Sequence, residues 1–102
     1  MPRSKKRLEW SISALAELES GLAYYAERNP IAALRMQEEI RLAALSLIAA
    51  VAPAKERPGC VPKTRELVLG AHTPYLLVFR EIVREVSVVQ ILRVMHTSRK
   101  YP

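Results

Sequence analysis

The hydrophobic period of this chain changes once, from helical spacing to strand spacing, across a proline-rich break between Pro53 and Pro62. A chain patterned this way folds as helices packed against a sheet. Before the break, Ile12, Leu15, Leu18, Leu22 and Tyr25 step by three or four residues. So do Ala33, Met36, Ile40, Ala44, Leu47 and Val51. Each set forms one stripe on a helix. Asn29-Pro30 divides them, with Asn suited to cap a helix and Pro suited to its first position. Ser11 or Ser13 is placed to cap the first helix. Two helices with almost no linker make an αα-hairpin. Gly21 interrupts the first helix at about 1 kcal/mol relative to Ala, which a close approach of the second helix would explain.

Lys5 to Trp10 alternates and reads as a short edge strand, with Leu8 and Trp10 on its apolar side. After the break, Thr64–Leu69, Tyr75–Ile82 and Glu85–Met95 read as strands. Residues 70–74 form a turn, and Val83-Arg84 the tight connection between the last two strands. In the last strand, Val86, Val88, Leu92 and Val94 share one face and Val89, Ile91, Arg93 and Met95 the other. A strand apolar on both faces is central in its sheet. The expected fold is therefore α+β. It has an N-terminal strand, an αα-hairpin and a three-stranded antiparallel meander, with the helices on one face of a mostly antiparallel four-stranded sheet. The chain of 102 residues is expected to be one domain, 1–102. The second sheet face is expected to be open and basic.

Charge separates the two halves. The formal net charge is +6, and all ten acids are Glu. Residues 1–51 hold seven basic and six acidic residues, whereas 52–102 hold nine and four. This asymmetry points to an anionic partner, either nucleic acid or an acidic protein segment. A single cysteine, Cys60, excludes an internal disulfide framework and suits a reducing cytoplasm. The longest uncharged apolar run, Leu42–Ala54, is too short to span a bilayer, so no membrane association is expected.

The sequence offers little for catalysis. His72, His96 and Cys60 lack metal-ligand spacing, and three glycines form no phosphate loop, so neither metal nor cofactor is expected. The one dense polar group is C-terminal: His96, Thr97, Ser98, Arg99, Lys100 and Tyr101. His96 is a proton shuttle near neutrality, Arg99 and Lys100 stabilise phosphoryl charge, and Tyr101 stacks on a base or donates weakly. Together they suit metal-free RNA cleavage; the competing reading is an ordinary basic tail leaving a sheet, with Tyr101 packed on the core edge. Arg65, Arg80 and Arg93 come one from each late strand, and alternation would gather them on a common face as an anion site. Pairing with Glu66, Glu81 and Glu85 is the competing reading. Tyr24 and Tyr25 cannot both face the core, so one is a candidate contact with a partner.

Several segments together resemble the ParE/RelE superfamily of bacterial type II toxins. They are Trp10 with Ala14 and Leu18, Asn29-Pro30-x-Ala32-Ala33, the Pro53–Pro62 break, Thr64-Arg65-Glu66-Leu67, Thr73 to Arg80, and Ile91 to His96. The likeness spans the chain in order and is strongest to the ParE-like branch. It implies the toxin of a toxin–antitoxin pair involved in plasmid stabilization and growth arrest. The implied partner is a ParD-like antitoxin whose C-terminal segment orders as it wraps the toxin, over the hairpin groove and the open sheet face. The ParE-like branch implies a non-enzymatic inhibitor of DNA gyrase. The alternative RelE-like branch implies a ribosome-dependent mRNA endonuclease, for which His96, Arg99, Lys100 and Tyr101 are the catalytic candidates. Arg65, Arg80, Arg93, Tyr24 and Tyr25 are then candidates for contact with antitoxin or target. The sequence departs from the RelE-like pattern at Leu76, where that branch tends to carry a catalytic Arg, and near Thr97, where a basic residue is expected.

Overall fold

A computed structural model describes residues 6–49, 56–59, 61–69 and 73–98. The order of elements is β1 (Arg7–Trp10), α1 (Ile12–Arg28), α2 (Pro30–Ser46), β2 (Glu56–Pro58), β3 (Arg65–Val68), β4 (Tyr75–Val83) and β5 (Ser87–His96). The strands form one sheet in the order β1-β5-β4-β3-β2, with β1 parallel to β5 and the other pairs antiparallel. The expected α+β layout holds, with a fifth strand added. That strand, β2, lies inside the stretch expected to be loop and pairs its three residues with Arg65–Leu67. Pro58 at its end is tolerated because β2 is an edge.

Both helix starts follow from their caps. Ser11 ends the ladder of β1, its N–H donating to Ile91 C=O at 2.9 Å. Its Oγ then accepts from Ala14 N–H at 3.0 Å and donates to Leu92 C=O at 2.8 Å. Asn29 closes α1 through its N–H to Tyr25 C=O, and its side chain opens α2 by accepting from Ala32 N–H at 3.1 Å. One residue therefore serves both helices, which keeps the hairpin turn tight.

The core lies between the hairpin and one sheet face. It joins Ala14, Met36, Ile40, Ala44 and Leu47 to Leu67, Leu77, Phe79, Val89, Ile91 and Val94, with Leu8, Trp10, Leu18, Leu22 and Tyr25 packed at its margin. The α2 stripe is buried as its spacing predicts from Ala33 to Leu47; Val51 lies outside the described residues. The α1 stripe needs correction at its start. Ile12 is 88% exposed and Leu15 is also exposed, while Ala14 is fully buried. The inward line is Ala14, Leu18, Leu22 and Tyr25, because Ser11 sets the helix start and with it the rotation of α1. Gly21 also answers to a different neighbour. A Cβ there would lie 2.7 Å from Tyr75 Oη, so the close approach comes from β4, not from α2.

The β4–β5 pairing carries a bulge. Val78 faces Arg93 and Phe79 faces Ile91, leaving Leu92 as the extra residue. Strict alternation, which placed Leu92 with Val94 and Ile91 with Arg93, therefore fails. Val89, Ile91 and Val94 face the helices together, and Met95 faces away. The connection is also longer than the Val83-Arg84 turn expected. Val83 pairs with Ser87, and Arg84, Glu85 and Val86 form a three-residue loop closed by Arg84 N–H to Val86 C=O.

The outer sheet face is not open at its centre. Leu76, Val78 and Met95 form a second buried cluster there, with Val68 beside it. Glu66, whose side chain shares that face through its pairing with Val78, is only 2% exposed.

Candidate functional site

A cleft of about 510 Å³ opens between α1 and the C-terminal half of β5. Its helix wall is Ala16, Glu17, Ser20, Gly21, Tyr24 and Tyr25, and its sheet wall is Tyr75, Val94, Met95 and His96, with Ser98 at the rim. The cleft exists because β1 is short. β1 pairs with β5 only from Val88 to Ile91, and the chain then turns into α1. Beyond Ile91 the β5 edge has no neighbouring strand among the described residues.

Aromatic rings line one side. Tyr24 meets Tyr25 edge-on at 5.4 Å between centroids, Tyr25 meets Tyr75 at 6.5 Å, and Tyr75 meets His96 at 5.2 Å. Tyr24 is the outer member of this row, 54% exposed, with Arg28 Cζ 3.7 Å above its ring. Tyr25 is packed on the core margin. The expectation that one of the two tyrosines lies at the surface is met, and Tyr24 is that residue.

His96 sits at the end of β5. Its Nδ1 accepts from Ser98 N–H at 3.1 Å, and Ser98 Oγ lies 2.7 Å from the same nitrogen. A main-chain N–H only donates, so Nδ1 carries the lone pair and Nε2 the proton in this geometry. Arg99, Lys100 and Tyr101, the other members of the C-terminal group, lie outside the described residues.

At the opposite end of the cleft, Glu17 binds the β5 edge. Arg93 Nε donates to Glu17 Oε1 at 3.0 Å and Arg93 Nη2 to Oε2 at 2.6 Å. Val94 N–H donates to the same Oε1 at 2.9 Å. The hydrogen bonds that Arg93 donates to Glu17 hold its guanidinium above its usual range, against a smaller opposing effect of burial.

The three arginines of the late strands do not converge. Arg80 pairs with Gln90 and Arg93 with Val78, both on the outer face, but Arg65 pairs with Phe79 and so belongs to the helix side. The partners of Arg80 and Arg93 differ from those expected too. Arg80 Nε donates to Gln90 Oε1 at 2.8 Å, and Gln90 Nε2 donates onward to Glu9 Oε1 at 3.2 Å. Glu66 is held instead by Arg57, at 2.8 Å, and Glu81 by Lys6, at 3.4 Å. A common anion site built from Arg65, Arg80 and Arg93 is therefore absent. The β3 register reverses the side of Arg65, and Glu17 occupies Arg93.

Glu17, Ser20 and Tyr75 were missed as site residues. Gly21 within an otherwise good helix was the available signal, because it marks where a bulky neighbour must enter. No cluster of potential metal ligands occurs among the described residues, and none of their helices is long and apolar enough to cross a membrane.

Residues 8–101 match the sequence model of a family described as the ParE toxin of the type II toxin–antitoxin system parDE. The chain is 41% identical over 99 residues to the Sinorhizobium fredii protein named "Putative toxin Y4kP", covering 97% of this chain and 96% of that one. The fold is similar to a solved structure described as the chromosomal ParDE TA system from P. aeruginosa. That match has a TM-score of 0.77 and 26% identity, over 92% of this chain and 98% of that one. The YoeB/ParE toxin from Agrobacterium tumefaciens shares the fold alone, with a TM-score of 0.52 and 15% identity over 88% of this chain and 96% of that one.

Proposed function

This chain belongs to the ParE toxin family of type II toxin–antitoxin systems, and from that premise we propose that it inhibits DNA gyrase and is neutralised by a ParD-like antitoxin encoded beside it. The family match from residue 8 to residue 101 carries this reading. The net charge of +6 favours an acidic antitoxin segment, and steers its association.

The cleft geometry supports an inhibitor over a nuclease. Leu76, at the position where nuclease relatives would carry an Arg, is buried in the outer-face cluster. Arg93, the cation nearest His96 along β5, is engaged by Glu17. His96 thus stands among tyrosines, and the described cleft lining contains no Lys or Arg to stabilise a phosphorane.

The test is a gyrase supercoiling assay with the purified chain. Inhibition with accumulation of linear DNA, relieved by the cognate antitoxin, is expected. Full gyrase activity at micromolar toxin, together with rapid message cleavage on ribosomes, overturns the reading and transfers activity to His96 and the residues that follow it.

A further inference from the structure

The exposed edge of β5 carries the feature that the proposed function does not use. Antiparallel alternation fixes where its main-chain groups point. Thr97 N–H donates to Pro74 C=O at 2.9 Å, so Met95 and Thr97 direct their main chains to β4, while Val94 and His96 direct theirs to the opposite edge. Val94 N–H confirms this, since Glu17 takes it from that side. Val94 C=O and His96 N–H and C=O face the same way, and no described residue bonds to them.

Among the described residues this is an unpaired strand edge, held at the side of a cavity. Alternating acceptor and donor groups at strand spacing match another peptide main chain. A nucleic acid would need cations here, and the described cleft lining instead carries a carboxylate, Glu17, on the edge itself. Beside the edge, Tyr25 and Tyr75 offer ring surface to an apolar or aromatic side chain. Glu17 already serves the first donor, so the pairing on offer begins at Val94 C=O and runs through His96.

We infer that the cleft is a slot for strand addition: an extended segment of the antitoxin pairs with β5 from Val94 to His96 and seats an apolar or aromatic side chain against Tyr25 and Tyr75. This inference rests on the toxin–antitoxin reading above. The slot is where β1 would continue had the chain not turned into α1 at Ser11, so the added segment completes the sheet. Glu17 closes one end of the slot and fixes where pairing starts.

The experiment is amide hydrogen exchange by NMR on the full toxin, free and in complex with its cognate antitoxin. His96 N–H is expected to exchange quickly in the free chain and at least about a hundredfold more slowly in the complex. Ala16→Trp, at an exposed helix position lining the cleft, is expected to fill the slot and weaken the complex at least tenfold while leaving thermal stability unchanged. A stable complex in which His96 N–H exchanges as in the free chain overturns the slot and leaves the toxin–antitoxin reading standing. Failure to form any complex overturns that reading instead. Protection of His96 in the free chain that rises with concentration assigns the slot to a second copy of the toxin and also overturns the inference.

Discussion

Glu17 and Arg93 form a two-pronged ion pair across the end of β1, with Nε 3.0 Å from Oε1 and Nη2 2.6 Å from Oε2. The same carboxylate caps Val94 N–H, so one side chain of α1 does for β5 what a continuation of β1 would have done. The pair is partly exposed, which limits its Coulombic worth, but its hydrogen bonds to a charged group count for more. Glu17→Ala is expected to lower unfolding free energy by about 2 kcal/mol, and Glu17→Gln by about half of that, because the amide oxygen keeps the Val94 bond. Urea titrations of both variants check the order; equal losses would mean that the Val94 bond contributes nothing.

The pH dependence of this pair follows from the guanidinium. Arg93 is raised above its usual range, chiefly by its hydrogen bonds to Glu17. A group raised in the folded state contributes below its unfolded value and loses that contribution only as pH climbs through the folded one. For arginine that window lies far on the alkaline side of neutrality. The stability difference between wild type and Arg93→Ala is therefore expected to stay flat from about pH 7 to about pH 10. A difference that shrinks across this range would show that the pair is not what holds α1 to β5.

Burial without full pairing makes Glu66 the most exacting polar residue of the outer face. Oε1 accepts from Arg57 at 2.8 Å, and Oε2 is buried with no hydrogen-bond partner. Arg57→Ala is expected to cost about 2–3 kcal/mol, because it leaves a carboxylate inside an apolar cluster with nothing opposite. Glu66→Gln added to that variant should recover at least about 1 kcal/mol, since the remaining group is neutral. Thermal melts of the single and double variants decide it, and a double variant as unstable as the sum of its parts would remove the charge argument.

How much of this was legible beforehand depends on which residues carried a local signal. Asn29-Pro30 announced both the end of α1 and the start of α2, because capping is chemistry of adjacent residues. The α2 stripe read correctly for the same reason, as one helix face meets one surface. The α1 stripe misled at Ile12 and Leu15, since the helix rotation is set by Ser11 bonding to Leu92, 81 residues away. The bulge at Leu92 was invisible because it depends on how β4 and β5 register, and it alone moves Val94 to the core side. The cleft followed suit. Tyr24, Tyr25 and His96 were named as candidates separately, but what joins them is Tyr75, seated against Gly21.

Because Arg65 and Arg80 lie on opposite sheet faces, charge reversal at each probes a different approach of the antitoxin. Neither lines the cleft. Arg65→Glu and Arg80→Glu are therefore expected to slow association with an acidic antitoxin and flatten its salt dependence, while changing the dissociation rate by less than about threefold. Surface plasmon resonance at two salt concentrations separates the two effects. A large rise in dissociation rate for one variant alone would place the docking surface on that variant's face and away from the β5 edge.

Gly21 and Tyr75 give the sharpest test of the packing that shapes the cleft. In an exposed helix Gly→Ala would stabilise by about 1 kcal/mol. Here the new Cβ would meet Tyr75 Oη at 2.7 Å and Cζ at 3.2 Å, so the ring must shift away from α1 and from the edge contacts with Tyr25 and His96. Gly21→Ala is expected to be neutral or destabilising in the wild-type chain. With Tyr75→Phe the hydroxyl is gone, and only the milder ring-carbon contact remains to be relieved. In that background the same Gly21→Ala change is expected to stabilise, giving a coupling of about 1 kcal/mol between the two positions. A double-mutant cycle by chemical denaturation measures it. Additive effects would mean that Tyr75 yields without cost and that the aromatic wall is not fixed by the glycine.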